Sequence, residues 1–458
     1  MPTITTPIAD PLAPEVLGAR ARQLLERDRW TRERLLAHQR ERLRAIVSHA
    51  VEHSPYYRGT LGPEAADADL ADLPTLPKPV LMRELDRVVT DPRLRLDDLE
   101  HALGEAAAGR LYLDEYRIFS TSGTSGVPGL FVYSRAEFAH WVAVFVRSFA
   151  RLGMTPTTRI VGIGAPNALH LSQQVIAAMQ TGRSGAPRLS VTTRLDESVA
   201  ALDRYRPEVI GGYPSVLALL AEEQLQGRLA IAPRVVLSSS EVLTEDAAAR
   251  IESAWTRPVE GYFSTEVGVI AAGSLDHVGM HVCEEAILEV VDDSGRPVPP
   301  GALGSKVLLT NLVNRTQPLI RYELLDAVQL EPGPDPSGRP YDRIARIDGR
   351  SDDMLYLPAP DGSEVAVHPY RLRAPFVQIL DVLQYQVVHR DDGLLVRIVV
   401  RREAERDIAG HVGSEVSAAL SAAGATAPVA VEVVGEIERE PGHAAKVKLV
   451  RSEVARAA

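Results

Sequence analysis

Between Pro14 and Tyr57 the apolar residues Leu24, Leu25, Trp30, Leu35, Leu36, Leu43, Ile46, Val47 and Ala50 recur mostly at three- and four-residue steps among Arg and Glu. That spacing predicts an amphipathic helix. Its basic residues Arg34, Arg40, Arg42 and Arg44 are expected on the solvated face, and Ser54-Pro55 ends it, because the residue before a proline is pushed out of the helical region. A Leu-Pro-rich passage, Leu73 to Pro79, and a second helical stretch lead to Gly109. Two strand-like runs follow, Glu115 to Phe119 and Leu130 to Tyr133, separated by a Ser/Gly-rich loop. Arg135 to Leu152 predicts a helix with Phe138, Trp141, Val142, Phe145 and Phe149 on one face.

Strand-like and helix-like patterns then alternate. The strands are Arg159 to Ile163, Arg188 to Val191, Val209-Ile210 (closed by Gly211-Gly212) and Val235 to Leu237. The helices are Leu171 to Met179, Asp196 to Tyr205, Ser215 to Glu223 and Thr244 to Ala254, with Thr244 as an N-cap. Such alternation predicts an α/β fold with helix-covered sheets, whose ligands sit at loops after the carboxyl ends of strands. From His281 to Leu330 short alternating runs with Pro/Gly turns predict an antiparallel β subdomain. From about Asp352 onward separate strand and helix patterns suggest a small α+β domain, giving expected domains 1–351 and 352–458.

Composition narrows the function. A chain of 458 residues predicts two or three domains, and a net charge of −11 argues against nucleic-acid binding, which needs clustered Lys and Arg. The single cysteine, Cys283, cannot form an intramolecular disulfide and suits a reducing compartment. No run of eighteen apolar residues suggests a membrane span, and Met1 to Pro14 reads as a frayed leader rather than a signal peptide. The expectation is a cytoplasmic protein with no membrane partner, its oligomeric state left open between monomer and homodimer.

Candidate chemistry lies in four clusters. Ser120 to Gly129 packs hydroxyls and glycines without a cation, and its backbone N–H groups suit an anion nest; no Gly-Lys-Ser/Thr makes it a Walker loop. Gly261 to Gly268 holds an aromatic, two hydroxyls and a carboxylate. Pro318 to Asp326 ends an apolar strand on an acid, and Arg346 to Met354 is a dense charged turn. Singly, each is as well explained by an ordinary loop.

In this order and at these separations the four clusters resemble the adenylate-forming enzymes, and within them the phenylacetate–CoA ligase-like branch. The passages Arg42 to Arg58 and Ala71 to Pro74 are similar too. The resemblance implies a large N-terminal domain and a small mobile C-terminal one. It implies ATP, Mg2+ and CoA, and AMP-forming activation of an aryl or related carboxylic acid. Thr121, Ser122, Gly123, Thr124, Ser125 and Gly126 would then take the β,γ-phosphates. Tyr262 would stack on adenine within Tyr262, Phe263 and Ser264, Thr265 would bind the α-phosphate, and Glu266 would hold Mg2+. Ser239, Ser240 and Glu241 would flank adenine, Asp326 would take the ribose hydroxyls, and Arg350 would contact ribose or phosphate. Asp352 would be the hinge. Tyr213, Pro214, Ser215, Ala165, Asn167 and His170 are the candidates for the acid's pocket.

Two departures stand out. Where the family carries a C-terminal lysine, this chain reads Glu440 to Lys448, with His443 in the apparent place and Lys446 or Lys448 nearby. Leu357 to Pro369 replaces a shorter glycine turn near the expected thiol, which leaves an amine open as acceptor in place of CoA. A third reading is a catalytically idle nucleotide-binding homologue. His277, His281 and Cys283 offer zinc ligands without an evident fourth, and ordinary loop histidines are the preferred reading.

Overall fold

The computed structural model describes residues 10–121, 129–166, 169–180, 186–276, 278–350, 355–367, 369–377, 379, 381–401, 407–439 and 447–454. Helices α1 (Pro14–Leu25) and α2 (Arg32–His53) are separated by a 3-10 turn, Glu26–Arg29. The helical pattern therefore breaks once inside its expected span, and restarts where the Thr31 hydroxyl accepts from Arg34 N at 3.3 Å. Ser54 ends α2 and caps the next helical turn, accepting from Tyr57 N. Arg42 departs from the expected solvated face: its guanidinium donates to the Leu312 carbonyl at 2.7 Å.

Strands β1 (Tyr116–Ser120) and β2 (Leu130–Ser134) pair antiparallel. Helix α3 (Arg135–Arg151) starts at once, because Ser134 and Glu137 form a reciprocal capping box. Then come β3 (Ile160–Gly164), α4 (Leu171–Gln180), β4 (Leu189–Ser190), α5 (Leu195–Tyr205), β5 (Val209–Gly212), α6 (Pro214–Leu225), β6 (Val235–Ser239), α7 (Glu245–Ala254), β7 (Val259–Ser264), β8 (Gly268–Gly273) and β9 (Met280–Val282). Gly211 and Gly212 lie within β5 rather than closing it. Thr244 sits at the N-cap of α7, but its side chain makes no capping bond.

The expected antiparallel subdomain splits in two. Strands β10 (Ala286–Val291), β11 (Lys306–Asn311) and β12 (Tyr322–Leu324) form a three-stranded antiparallel sheet. Strand β9, together with β13 (Asp326–Leu330) and β14 (Arg343–Arg350), instead extends the main sheet. That nine-stranded sheet runs β13-β14-β9-β8-β7-β6-β5-β3-β4, parallel from β4 to β7 and antiparallel beyond.

Alternation in the parallel strands separates two faces. Val161, Ile163, Ile210 and Val236 pack with Leu202 of α5, Leu217 of α6 and Ile251 of α7. Val209, Val235 and Val259, on the other face, meet Leu152 and Met154 in a small cluster beside α3.

The last part holds a hairpin, β15 (Leu355–Pro358) with β16 (Glu364–Val367). It also holds a four-stranded sheet, β19-β18-β17-β20, built from β17 (Val382–Arg390), β18 (Gly393–Val400), β19 (Val429–Val433) and β20 (Val450–Ser452). Helix α8 (Ile408–Ala422) buries Val412, Val416 and Leu420 in a core shared with Val387, Val396 and Ile398. This part leans on the large sheet through polar contacts. Arg250 of α7 donates to the carbonyls of Val382 and Leu383 at 2.9 and 3.0 Å, and Arg401 pairs with Glu222 at 2.8 Å. The expected hinge, Asp352, lies outside the described residues. Among the described residues, no helix is long and apolar enough to cross a membrane.

Candidate active site

The carboxyl ends of β3, β5, β6 and β7 open into a cleft of about 580 Å3. Thr121, Ser239, Tyr262, Thr265, Glu266 and Asp326 all line it, although they come from separate segments of the chain. Thr121 begins the Ser/Gly loop, and its backbone N–H donates to the Gly129 carbonyl at 2.9 Å while Gly129 N donates to its hydroxyl at 3.0 Å. The loop's neck is thereby closed. Ser122, Gly123, Thr124, Ser125 and Gly126 lie outside the described residues.

Lys78 supplies what that loop lacks in sequence. Its ammonium donates to the Thr121 hydroxyl at 3.2 Å and it lines the same cleft. Lys78 was not among the sequence candidates. Its only local mark is a position between Pro77 and Pro79, and nothing there points to Thr121, 43 residues on.

Glu266 is 7 % exposed. Burial pushes its carboxyl up from the ordinary value, opposed by its own backbone hydrogen bond and by the nearby Lys78 charge. Its carbonyl accepts from Asn311 Nδ2 at 3.0 Å, and Tyr133 donates to the Thr265 carbonyl at 2.8 Å, so the turn is held from behind. A buried carboxylate facing a polar cleft, with hydroxyls beside it, fits a hard cation such as Mg2+. The Tyr262 hydroxyl donates to Asp326 Oδ2 at 2.5 Å, which orients that carboxylate. Asp326 pairs in register with Arg350 across β13 and β14; of Arg350 only the backbone is described.

Ser240 takes φ 73°, a strained conformation for a residue other than glycine. Past this bend Glu241 accepts from Ser215 N at 3.3 Å and from Val447 N at 2.8 Å. One carboxylate thus ties the start of α6 to the segment after Lys446. His443 and Lys446 lie outside the described residues, whereas Lys448 lines the cleft.

Of the expected acid-pocket residues, Tyr213, Pro214, Ser215 and His170 line the cleft. Ala165 does not: it is fully buried beyond the end of β3, and its carbonyl accepts from Gln173 Nε2 at 2.7 Å. Asn167 lies outside the described residues. Phe263 turns from the polar end to pack its ring 4.9 Å from Phe145. His281 bonds Asp335 at 2.7 Å, and burial beside Glu284 pushes the Cys283 thiol up to about 12. Among the described residues no three-ligand metal cluster occurs, and His277 is outside them.

Comparison with known proteins finds relatives of similar length and fold. The phenylacetate-coenzyme A ligase of Thermus thermophilus is 28 % identical, covering 84 % of this chain and 85 % of that one. The enzyme of the same name from Escherichia coli K12 is 26 % identical over 92 % and 96 %. A 2-hydroxyisobutyryl-CoA ligase in its postadenylation state superposes with a TM-score of 0.73 at 22 % identity, covering 91 % of this chain and 89 % of the other. The same ligase in its thioesterification state gives 0.59, covering 93 % and 91 %. The family described as AMP-binding enzyme matches residues 81–309, half of the sequence, and this chain belongs to that family.

Proposed function

We propose that the protein is an ATP-dependent, AMP-forming ligase that activates a carboxylic acid as its acyl-adenylate and passes the acyl group to CoA. The observation that carries this reading is the convergence of Thr121, Tyr262, Glu266 and Asp326 on one cleft. Its relatives named phenylacetate-coenzyme A ligase support it.

In this reading an oxygen of the substrate carboxylate attacks the α-phosphorus of ATP and pyrophosphate departs. Thr121 and Lys78 bind the departing phosphates with hydrogen bonds and charge. Thr265 positions the α-phosphate, Asp326 takes the ribose hydroxyls, and Tyr262 offers its ring to adenine while its hydroxyl fixes Asp326. Mg2+ held by Glu266 would supply charge neutralisation at the phosphates. The sulfur of CoA then adds to the acyl carbon, its thiol proton passing to solvent, and AMP leaves with the electrons of the broken acyl–phosphate bond. A rotation of residues 352–458 about Asp352 against residues 1–351 would exchange the two half-reactions. The separate core around Val396 and Val412 supports such a unit. Lys448, or Lys446 beside it, takes the place of the family's lysine.

Acid-dependent exchange of labelled pyrophosphate into ATP tests the first half-reaction. No exchange with a broad acid panel would leave the idle-homologue reading standing. Repeating the reaction with CoA and with amines, and identifying the thioester or amide, decides the acceptor.

A further inference from the structure

The cleft continues far below the polar groups just described. Beneath the strand ends it runs along one face of the parallel sheet, under α3 and α4, where Phe145, Phe149, Val175, Ile176 and Met154 form its other wall. The sheet side is made by alternate residues, among them Gly162, Gly211, Leu237 and Phe263. These four sit within strands yet keep accessible surface, which interior positions of a helix-covered sheet ordinarily lose. Of the two glycines, Gly211 leaves room, whereas at Gly162 Ile176 of α4 already lies close, 2.8 Å from where a Cβ would stand. The atoms nearest to a Cβ on Gly211 belong to Leu237, the first at an ordinary 3.5 Å, so a side chain can start there without a clash.

Ile160 and Val209, at the opposite ends of β3 and β5 from the reaction site, line the same cavity. From Gly164 to Ile160 is four strand residues, about 13 Å at ~3.3 Å each. An extended chain advances ~1.2 Å per bond, so this depth takes about ten of them. Ser238 and Glu260 line the upper part of this stretch, level with Ile163; below them Phe149, Met154, Ile160, Val209 and Leu237 are apolar, and Met154, Val209 and Val235 belong to a buried cluster at the far end. A single ring held at the carboxylate end would leave the lower half unfilled.

We propose that the acid activated here carries an extended, unbranched apolar tail of about eight to ten carbons, lying between α3 and the glycine-bearing face of β3 and β5. This rests on the adenylating reading above and names the substrate class of that same site. Each methylene buried is worth about fourfold in kcat/KM, from ~0.8 kcal/mol at ~1.4 kcal/mol per tenfold.

Pyrophosphate exchange should be measured with straight-chain acids from acetate to tetradecanoate, and with benzoate and phenylacetate. Activity is expected to climb about fourfold per methylene to eight to ten carbons and then fall. Gly211→Val should move the optimum to about four to six carbons, because its side chain enters the channel midway. A preference for phenylacetate or benzoate, or an optimum unmoved in Gly211→Val, overturns the proposal. Calorimetric titration with decanoate separates the two inferences. If exchange is absent with every acid but decanoate binds the native protein and not Gly211→Val, the adenylating reading fails and the channel stands. If decanoate binds neither, or both equally, the channel falls.

Discussion

On one face of the central sheet Val161, Ile163, Ile210 and Val236 are at most 1 % exposed, sealed under α5, α6 and α7. One residue along in the same strands, Gly162, Gly211 and Leu237 are only partly buried and line the cleft on the other face. Both faces belong to a sheet whose hydrogen bonding is continuous, so the backbone does not distinguish them. Side-chain volume does. β-branched residues and Leu interdigitate with three helices on the first face, while on the second Gly162 admits Ile176 of α4 and Gly211 borders the cleft. A doubly covered sheet can thus put its stability on one side and its binding volume on the other.

The widest separation is expected at the rim, where neither face is touched. Glu266→Gln should lower pyrophosphate exchange about 10^2–10^3-fold with no loss of melting temperature. A matching fall in both would show that Glu266 supports the fold instead. On the sealed face, Ile210→Ala should cost about 2–5 kcal/mol in denaturant unfolding, because a fully buried side chain leaves a cavity. Leu237→Ala, at a partly buried position, should cost less, about 1 kcal/mol. Equal losses for the two would mean that the channel face is as well packed as the other.

The adjacent glycines give a finer cut. A Cβ on Gly212 comes within 2.8 Å of the Ile163 backbone oxygen, which cannot move without breaking the β3–β5 ladder. Gly212→Val should therefore lose about 3 kcal/mol, whereas Gly211→Val should fold with stability within about 1 kcal/mol of the native protein.

The smallest effect concerns the channel's roof. Arg147 of α3 pairs with buried Glu284 at 2.5 Å, and Arg27 pairs with Glu284 and Glu285. Burial pushes both carboxyls up, but Arg147 and Arg27 at Glu284, and His140 with Arg27 at Glu285, outweigh it and hold them below 4.5. Carboxyls depressed in the folded state contribute stability that is present above the unfolded value and is lost as pH falls through the folded one. Hydrogen exchange followed from about pH 6 to about pH 3 should therefore show α3 losing protection before α6. Loss in the reverse order, or in step, would remove this link between the ion pairs and the roof.

Legibility varied with range along the chain. The alternation from β3 to β7 was readable because strand and helix periods are written within about ten residues, and the Ser134–Glu137 box marks the start of α3 locally. The polar clusters were readable as a set, through their order and spacing. The splitting of the expected antiparallel subdomain was not, since β9 and β13 carry the same short alternating texture as β10 and β11. Lys78 escaped because its partner is remote, and Gly211-Gly212 read as a strand end although both residues are paired within β5.

Sequence by itself determined the order of elements, the apolar stripe of α3, and a set of hydroxyls, carboxylates and one aromatic suited to magnesium nucleotide. Tertiary structure decided that Thr121, Lys78, Tyr262 and Asp326 line one cleft, and that this cleft runs along one side of the sheet while the other is sealed. Periodicity is a property of neighbouring residues. A cavity is set by atoms that are missing between segments far apart in the chain, here Phe145 and Phe149 lining the same cleft as Gly211, and no local pattern records that distance.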